Sequence, residues 1–180
     1  MSEVQLLTKM ARLEETTPAP AVRGRSIRSV MENNKIEIII KIVETEKELA
    51  DARTVRSLVF QKEQGIAAEM DFDGKDDEAK HIIAYFDKKP LGTMRIRYIN
   101  GGKIAKIERM AVLREFRSQN IGGRMMEYAL SYLKGKEIKE ATLDAQEYVK
   151  KFYEKFGFKQ EGETFTEVGI PHVKMSKDLI

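Results

Sequence analysis

The sequence predicts an α/β (α+β) protein built on a mixed, mostly antiparallel sheet with helices on both faces. Segments with period-two hydrophobicity alternate with segments of helical period in the order β-α-β-β-β-α-β-α-β-β. In addition, a β-branched strand over 104–112 runs through a short basic turn directly into an amphipathic helix. A chain of 180 residues with 42% hydrophobic residues can bury one good core, so we expect one globular domain.

The first predicted elements are a strand, a helix and a hairpin. Isoleucine alternates with charged residues over 35–43, which indicates a strand with one buried face. Thr45 followed by Glu48 forms a capping box, so a helix is predicted to begin there. Strands over 80–86 and 91–99 flank the polar turn 87–90, and we expect them to pair as a hairpin.

The second half contains the central strand, two helices and three short strands. Asn100-Gly101-Gly102 is a hairpin signal that opens strand 104–112. A short strand is predicted over 140–145, and two more close the chain. The helices are predicted from apolar stripes: Ile121, Met125, Tyr128 or Ala129, and Tyr132 or Leu133 in the first; Tyr148, Val149, Phe152, Tyr153 and Phe156, ended by Gly157, in the second.

Composition excludes several kinds of site. The chain contains no cysteine, so it has no disulfide, no thiolate nucleophile and no cysteine metal ligand. Only His81 and His172 supply imidazole, and we expect no metal site. The apolar runs are too short to span a bilayer, and a formal net charge of +3 does not by itself indicate nucleic acid. We therefore expect a cytoplasmic protein without membrane or nucleic-acid partners.

Residues 1–33 differ from the rest of the chain. The stretch 16–20 reads Thr-Thr-Pro-Ala-Pro, a stiff linker that disfavours helix, and Arg23, Arg25 and Arg28 make the following stretch basic. We expect a disordered basic tail, with the folded domain over 34–180. An alternative is that Met31 is the true start.

The turn 117–123 is a candidate anion site. A turn that leads directly into a helix presents backbone N–H groups without intrahelical partners at the positive end of the helix dipole, which suits a phosphate. Asn120 tolerates a positive φ, while Gly122 and Gly123 allow another molecule to approach the backbone closely. From the spacing alone, an ordinary loop before an ordinary helix is an equal alternative.

Two motifs resemble the GNAT superfamily of acyl-CoA N-acyltransferases. The run Met-Ala-Val at 110–112, followed by Arg117-x-x-Asn120-x-Gly122-Gly123, is similar to its motif A, except that Asn120 replaces the first glycine. Residues 148–158 are similar to its FYxKxGF signature. Further segments resemble the ElaA-like branch, namely 61–66, the acidic stretch, His81, Ala145-Gln146 and 169–175.

The resemblance implies a GNAT-like fold and direct transfer of an acetyl group from acetyl-CoA to an amine acceptor, by a monomer or homodimer. The alternatives are a non-catalytic acyl-CoA-binding module and an acyltransferase with a longer acyl donor. By resemblance, coenzyme A contacts Met110, Ala111, Val112, Arg117, Ser118, Gln119, Asn120, Ile121, Gly122 and Gly123. Gln146 is also a candidate and would orient the amides of coenzyme A or the acceptor, with an ordinary polar residue at a helix start as an equal alternative.

Tyr153 and Glu108 are the candidate catalytic residues. By resemblance, Tyr153 lies beside the thioester sulfur and protonates the departing thiolate, and a core aromatic residue is the alternative. The acceptor ammonium must lose a proton before it attacks, so a nearby carboxylate is expected. Glu108 is the candidate, with a structural salt bridge to Lys106 or Arg109 as the alternative.

Three residues are candidates for the substrate pocket. Glu69 and Asp71 belong to the acidic stretch 69–78, which would attract a cationic acceptor or simply be a solvated loop. His172 follows Pro171 in a predicted strand and is a candidate pocket residue, with a structural histidine as the alternative.

Overall fold

The computed structural model describes residues 38–180, so the predicted tail 1–33 lies outside the described residues. The predicted strands and helices occur in the predicted order, and the structure adds a π-helical segment and one short helix between the first helix and the second strand. The elements are β1 (Ile38–Ile42), α1 (Glu46–Arg56), a π-helical segment (Ser57–Glu63), α2 (Ala68–Asp71), β2 (Lys80–Phe86), β3 (Lys89–Ile99), β4 (Ile104–Val112), α3 (Ile121–Lys134), β5 (Glu140–Gln146), α4 (Lys150–Glu154), β6 (Lys159–Glu167) and β7 (Ile170–Asp178), with 3₁₀ turns at Arg114–Phe116 and Glu147–Val149.

One sheet in the order β1-β2-β3-β4-β5-β7-β6 contains all the described strands. Its neighbouring strands are antiparallel except for β4 and β5, which run parallel. The predicted mixed, mostly antiparallel sheet is therefore confirmed. Because β4 and β5 are parallel, α3 connects them as a crossover helix.

The two faces of the sheet are covered by different elements. A Cβ at Gly92 would lie 2.8 Å from Met125 Sδ of α3, so α3 packs on the face that carries Gly92 and Met94. Arg95 points to the opposite face, where it meets residues that follow α1. The buried apolar side chains of the α3 face form the main core: Ile82, Met94, Ile96, Ile107, Met125, Met126, Ala129, Leu133 and Leu143.

Local signals fix several ends of elements as predicted. Thr45 and Glu48 form the reciprocal capping box that begins α1. Asn100 and Gly101 both adopt positive φ in the turn before β4. Gly157, at φ +83°, ends the last helix in a Schellman arrangement, since its N–H donates to the Glu154 carbonyl and the next N–H donates to the Tyr153 carbonyl.

The continuous helix predicted over 148–156 is wrong. This stretch is divided into the 3₁₀ turn Glu147–Val149 and the short helix α4, with Val149 between them at φ −100° and ψ 5°. The non-helical dihedrals of Val149 are what interrupt the helix. The predicted apolar stripe is nevertheless present, because the ring of Phe152 packs against the rings of Tyr153 and Phe156.

A β-bulge interrupts β4. Thr93 of β3 pairs with Ala111 and Arg95 pairs with Glu108, so Arg109 and Met110 together face the single residue Met94. Arg109 adopts φ +53°, which is unfavourable for a residue with a side chain. Contacts of its own guanidinium hold it there, to the carbonyls of Met70 (2.7 Å) and Asp71 (3.2 Å).

Buried arginines form an ionic cluster with the stretch 69–78, which we call the arginine cluster. Its members are Arg56 and Arg95 with the carboxylates of Asp71, Asp73, Asp76 and Glu108. Arg95 is fully buried and its Nη1 donates to Asp73 (2.7 Å) and to Asp76 (2.9 Å). The cluster thus joins α1, the acidic stretch and the two central strands.

Asp76 and Asp73 of the arginine cluster are held in their charged form. Burial raises the pKa of Asp76, but hydrogen bonds and charge from Arg56 and Arg95 outweigh that effect and bring it to about 2. Hydrogen bonds from Arg95 lower the pKa of Asp73 even further. His81, also buried, donates Nε2–H to the Asp76 carbonyl (3.0 Å), and burial lowers its pKa.

We expect the substitution Asp76→Asn to lower the free energy of unfolding by about 3–5 kcal/mol, because it leaves two buried arginine charges without their common partner. Urea unfolding followed by circular dichroism measures this change. Asp77→Asn is the matched control: its carboxylate is 88% exposed and lies 3.5 Å from Arg53, so we expect a change below about 1 kcal/mol. Equal effects of the two substitutions would contradict a structural role for the cluster.

Candidate functional site

The parallel strands β4 and β5 separate along their length. Their pairing extends only from Ile104 to Lys106 on β4 and from Glu140 to Thr142 on β5. The bulge at Arg109 follows shortly afterwards, and beyond it β4 still pairs with β3 on its other side. The backbone from Met110 to Val112 therefore borders a gap that widens towards the ends of the two strands. The predicted donor-binding residues of β4 lie along this gap.

The backbone of the turn 117–123 bears on the predicted anion site, and anion binding there stays a prediction. Asn120 is the N-cap of α3 and adopts the left-handed conformation, at φ 57° and ψ 22°. Its side chain makes no capping hydrogen bond and instead folds against Gly123, where it contacts the position that a Cβ would occupy. The N–H groups of the first turn of α3 consequently have no intrahelical or N-cap side-chain acceptor. We infer that this turn can accept an anion.

Gly122 has a different surrounding from the one expected. A Cβ at this position would lie 3.1 Å from Met110 Cε and 3.6 Å from the ring of Phe152. Its missing side chain therefore allows β4 and α4 to pack against the start of α3. Close approach of a ligand to the backbone, the predicted reason for this glycine, remains a prediction.

Arg117 forms a bidentate ion pair with Glu63 of the π-helical segment. Its Nη1 and Nη2 donate to the two carboxylate oxygens at 2.7 and 2.8 Å, and its Nε donates to the Val112 carbonyl at 3.0 Å. The guanidinium thereby connects the end of β4 to the segment that follows α1. The guanidinium of Arg117 is expected to face a phosphate. In this structure its two terminal nitrogens face Glu63 instead.

Tyr153 belongs to α4, and its hydroxyl is directed towards β4. Its hydroxyl donates to the sulfur of Met110 at 3.7 Å, a weak contact, and its ring packs edge-on against Phe152 and Phe158. The residue is partly accessible, but its phenol end is surrounded by protein, and this burial raises the pKa of the hydroxyl. The phenol is therefore protonated at neutral pH and can donate a proton.

Glu108 lies on the opposite face of the sheet, in the arginine cluster. Its salt bridges run to Arg97, at 2.7 and 2.9 Å, and to Arg95, rather than to the predicted partners Lys106 and Arg109. The two predicted partners bind elsewhere: Lys106 to Asp144, and Arg109 to the acidic stretch. Burial raises the pKa of Glu108, yet both arginines outweigh it and lower the pKa below its ordinary value.

Gln146 and His172 are brought together by strand pairing. They are opposite each other on β5 and β7. Strand register places them on the same face as Glu108. The Nε2 of Gln146 donates to Gln64 Oε1 at 3.4 Å. The Nδ1 of His172 must donate to the Ile170 carbonyl (2.8 Å), because a carbonyl only accepts, so neutral His172 presents Nε2 as an acceptor.

The two acidic pocket candidates differ. Glu69 is exposed, as attraction of a cationic acceptor requires. Asp71 is 1% exposed and receives hydrogen bonds from Arg56 Nε, so its charge is compensated internally. We therefore leave Asp71 out of the pocket. A solvated acidic loop, the sequence-based alternative, is also wrong for Asp71, Asp73 and Asp76, because their carboxylates bind arginines.

Sequence reasoning missed four residues that the structure brings to the site: Glu63, Gln64, Arg95 and Arg97. The first two belong to the stretch 61–66, which shows a family resemblance but no residue pattern that indicates a role. Arg95 and Arg97 alternate with buried apolar residues along β3, which is the pattern of a strand with one wet face. Their partners are distant in sequence, so the sequence contained no signal for these ion pairs.

Within residues 38–180, no group of three or more acidic or histidine side chains is arranged to hold a metal ion. The helices described over the same residues are all too short or too polar to cross a membrane.

Comparisons with known proteins show the family and the fold. The family model described as an acetyltransferase (GNAT) domain matches residues 44–179. The uncharacterized N-acetyltransferase YjcF of Bacillus subtilis is 37% identical over 138 residues, covering 76% of this chain and 97% of the relative. The crystal structure of Escherichia coli ElaA is 25% identical, with a TM-score of 0.71, and the match covers 78% of this chain and 99% of that one. An acyl-CoA N-acyltransferase from Pseudomonas aeruginosa is 26% identical, with a TM-score of 0.70 and coverage of 79% and 99%.

The left-handed conformation of Asn120 generates a prediction for the turn. Asn120→Val should lower the free energy of unfolding by about 1–2 kcal/mol, because a β-branched residue is disfavoured at positive φ. Asn120→Gly should be nearly neutral, since glycine adopts that region freely. Thermal unfolding of both variants measures the difference. Gln119→Val, one residue earlier and outside the positive-φ region, is the control, and an equally large effect there would contradict the conformational explanation.

Proposed function

The chain belongs to the acetyltransferase (GNAT) family, and on that premise we propose that it transfers an acetyl group from acetyl-CoA directly to an amine acceptor. No covalent acyl-enzyme is required, and the chain contains no cysteine to form a thioester. The family and its relatives support an acyl-CoA-dependent transferase, whereas the acetyl donor and the amine are our proposal.

One observation carries the proposal: the gap between β4 and β5 opens beside the N-terminus of α3. A donor with a polyanionic end and a long amide-containing arm fits this arrangement. The phosphates would bind the first-turn N–H groups and the side chains of Ser118 and Gln119, favoured by the helix dipole. The amides of the arm would meet the backbone of Met110, Ala111 and Val112, which borders the gap.

Tyr153 is the proposed general acid. Its hydroxyl lies at the β4 side of the gap, within 3.7 Å of Met110 Sδ, and its raised pKa keeps the proton in place until a thiolate forms nearby. A thioether is a weak acceptor, so little is lost when the phenol turns its proton towards a thiolate. The donor supplies a thioester, which is activated towards attack by nitrogen.

Glu108 is the proposed acceptor of the ammonium proton, acting through water. The arginine pairs keep it ionised, and the lowered pKa makes it a weak base. Much of its proposed effect is therefore electrostatic, because a carboxylate on this face stabilises a cationic amine. Gln146, His172 and exposed Glu69 complete the proposed acceptor pocket.

The proposal is tested by calorimetric titration with acetyl-CoA, followed by an assay of coenzyme A release across a panel of amines. We expect binding, and release that depends on the amine and exceeds the rate without amine. Binding without amine-dependent release from any acyl-CoA would instead support a non-catalytic acyl-CoA-binding module. Faster turnover with butyryl- or octanoyl-CoA would replace acetyl by a longer acyl group.

We expect Tyr153→Phe to lower the turnover number about 10²-fold, because the ring packing remains and only the acid is removed. The Michaelis constant for acetyl-CoA should stay near its original value. Steady-state kinetics with the best amine of the panel gives both constants. Tyr148→Phe is the matched control, since Tyr148 is 55% exposed on the turn before α4. Full activity of Tyr153→Phe would reduce this tyrosine to a packing residue.

A further inference from the structure

The π-helical segment lies across the open end of the gap between β4 and β5. It is the continuation of α1, and its last residue, Glu63, is fastened to Arg117 by two hydrogen bonds of 2.7 and 2.8 Å. The next residue, Gln64, accepts a hydrogen bond from Gln146 at the end of β5, at 3.4 Å. Glu63 and its neighbour Gln64 thus contact the turn that follows β4 and the last residue of β5, respectively.

The contact on the β4 side is the stronger of the two. A planar guanidinium that meets a carboxylate with two parallel N–H···O bonds fixes orientation as well as distance. The Nε of Arg117 also donates to the Val112 carbonyl at 3.0 Å, which ties the guanidinium to the last residue of β4. Both side chains of the pair are about three-quarters or more buried, so solvent screens the pair less than a surface salt bridge.

The backbone of the segment has the features of a functional connection rather than an ordinary helix. Its hydrogen bonds are of the wide type, for example from the Gln64 N–H to the Val59 carbonyl at 3.1 Å. Gly65, at φ +71°, then turns the chain away. A wide helical turn is less regular than an α-helix, so its position depends on the contacts at its end.

We propose that Glu63 is a positioning residue, whose ion pair with Arg117 holds the π-helical segment across the gap and so sets the width of the slot for the donor's arm. The proposal rests on the proposed function, since it assumes that the gap receives a coenzyme A thioester. It assigns Arg117 a role through Glu63, in place of a direct contact with phosphate.

The two roles of Arg117 predict opposite results for Glu63→Gln. If Arg117 binds a phosphate, then Glu63 competes for it, and removal of the Glu63 charge should strengthen binding of every phosphate-containing ligand. If Arg117 holds Glu63, removal of either partner releases the same segment. The two single substitutions and the double substitution should then have the same effect, because residues that act as a unit are not additive.

The experiment is calorimetric titration of Glu63→Gln, Arg117→Gln and the double variant with two probes. One probe is coenzyme A, and the other is adenosine 3′-phosphate 5′-diphosphate, which has the phosphates but lacks the arm. We expect all three variants to weaken coenzyme A binding by the same factor, roughly tenfold for the loss of one coupled contact. Affinity for the probe without the arm should equal that of the unchanged protein.

Two further variants keep the test decisive. Glu115→Gln is the matched control, because Glu115 pairs at 3.2 Å with Lys89 in the same region and both are exposed, so neither affinity should change. Arg117→Lys keeps the positive charge but cannot form the bidentate pair, so its effect on coenzyme A affinity should resemble that of Arg117→Gln. It serves as the test if a neutral variant does not fold.

The outcomes separate the inference from the proposed function. Weaker binding of both probes by Arg117→Gln, with unchanged or tighter binding by Glu63→Gln, would overturn the positioning role and make Arg117 a phosphate ligand. Unchanged coenzyme A affinity in all variants would overturn it as well. Failure of the unchanged protein to bind coenzyme A would instead overturn the proposed function, on which the inference depends.

Discussion

The bulge at Arg109 is the constraint on which the site depends. One additional residue in β4 shifts its register against β3, and the pairing of β4 with β5 stops just before this point. A positive φ at an arginine is unfavourable, so surrounding contacts must compensate for it. The carbonyls of Met70 and Asp71 do so by accepting hydrogen bonds from the Arg109 side chain. The acidic stretch 69–78 thus acts on the gap through the backbone of β4.

The arginine cluster explains how an acidic stretch can be part of the interior. Buried ions are expensive unless each is paired and hydrogen-bonded, and here Arg95 alone contacts Asp73, Asp76 and Glu108. The same pairing lowers the pKa of Glu108 and limits its strength as a base. The charges that stabilise the fold are therefore also the charges that act in the proposed chemistry. A change of any member of the cluster should affect stability as well as the electrostatic environment of the acceptor side.

The proposed acid and base approach the gap from different sides. Tyr153 reaches the β4 edge of the gap through Met110, in the aromatic group of α4. Glu108 lies on the face of Arg95, among polar side chains of β3, β4, β5 and β7. This separation gives each group the environment that its role needs: burial raises the pKa of the phenol, and arginines keep the carboxylate ionised. The π-helical segment, held by Glu63, lies across the end of the gap.

The sequence by itself determined the order of elements, the fold class and the family. Hydrophobic period, the capping box at Thr45 and the turn residues Asn100, Asn120 and Gly157 are local signals, and each acts within a few residues of the chain. The family resemblance, now confirmed by a model that matches residues 44–179, was likewise contained in short motifs.

Only the tertiary structure decided the partners of the charged side chains. Asp71 is buried, Glu108 pairs with Arg95 and Arg97, and Arg117 pairs with Glu63, across separations of 11 to 54 residues. Pairing of charges depends on where strands and loops meet in space. The local sequence around a solvated carboxylate therefore does not differ from that around a carboxylate buried against an arginine.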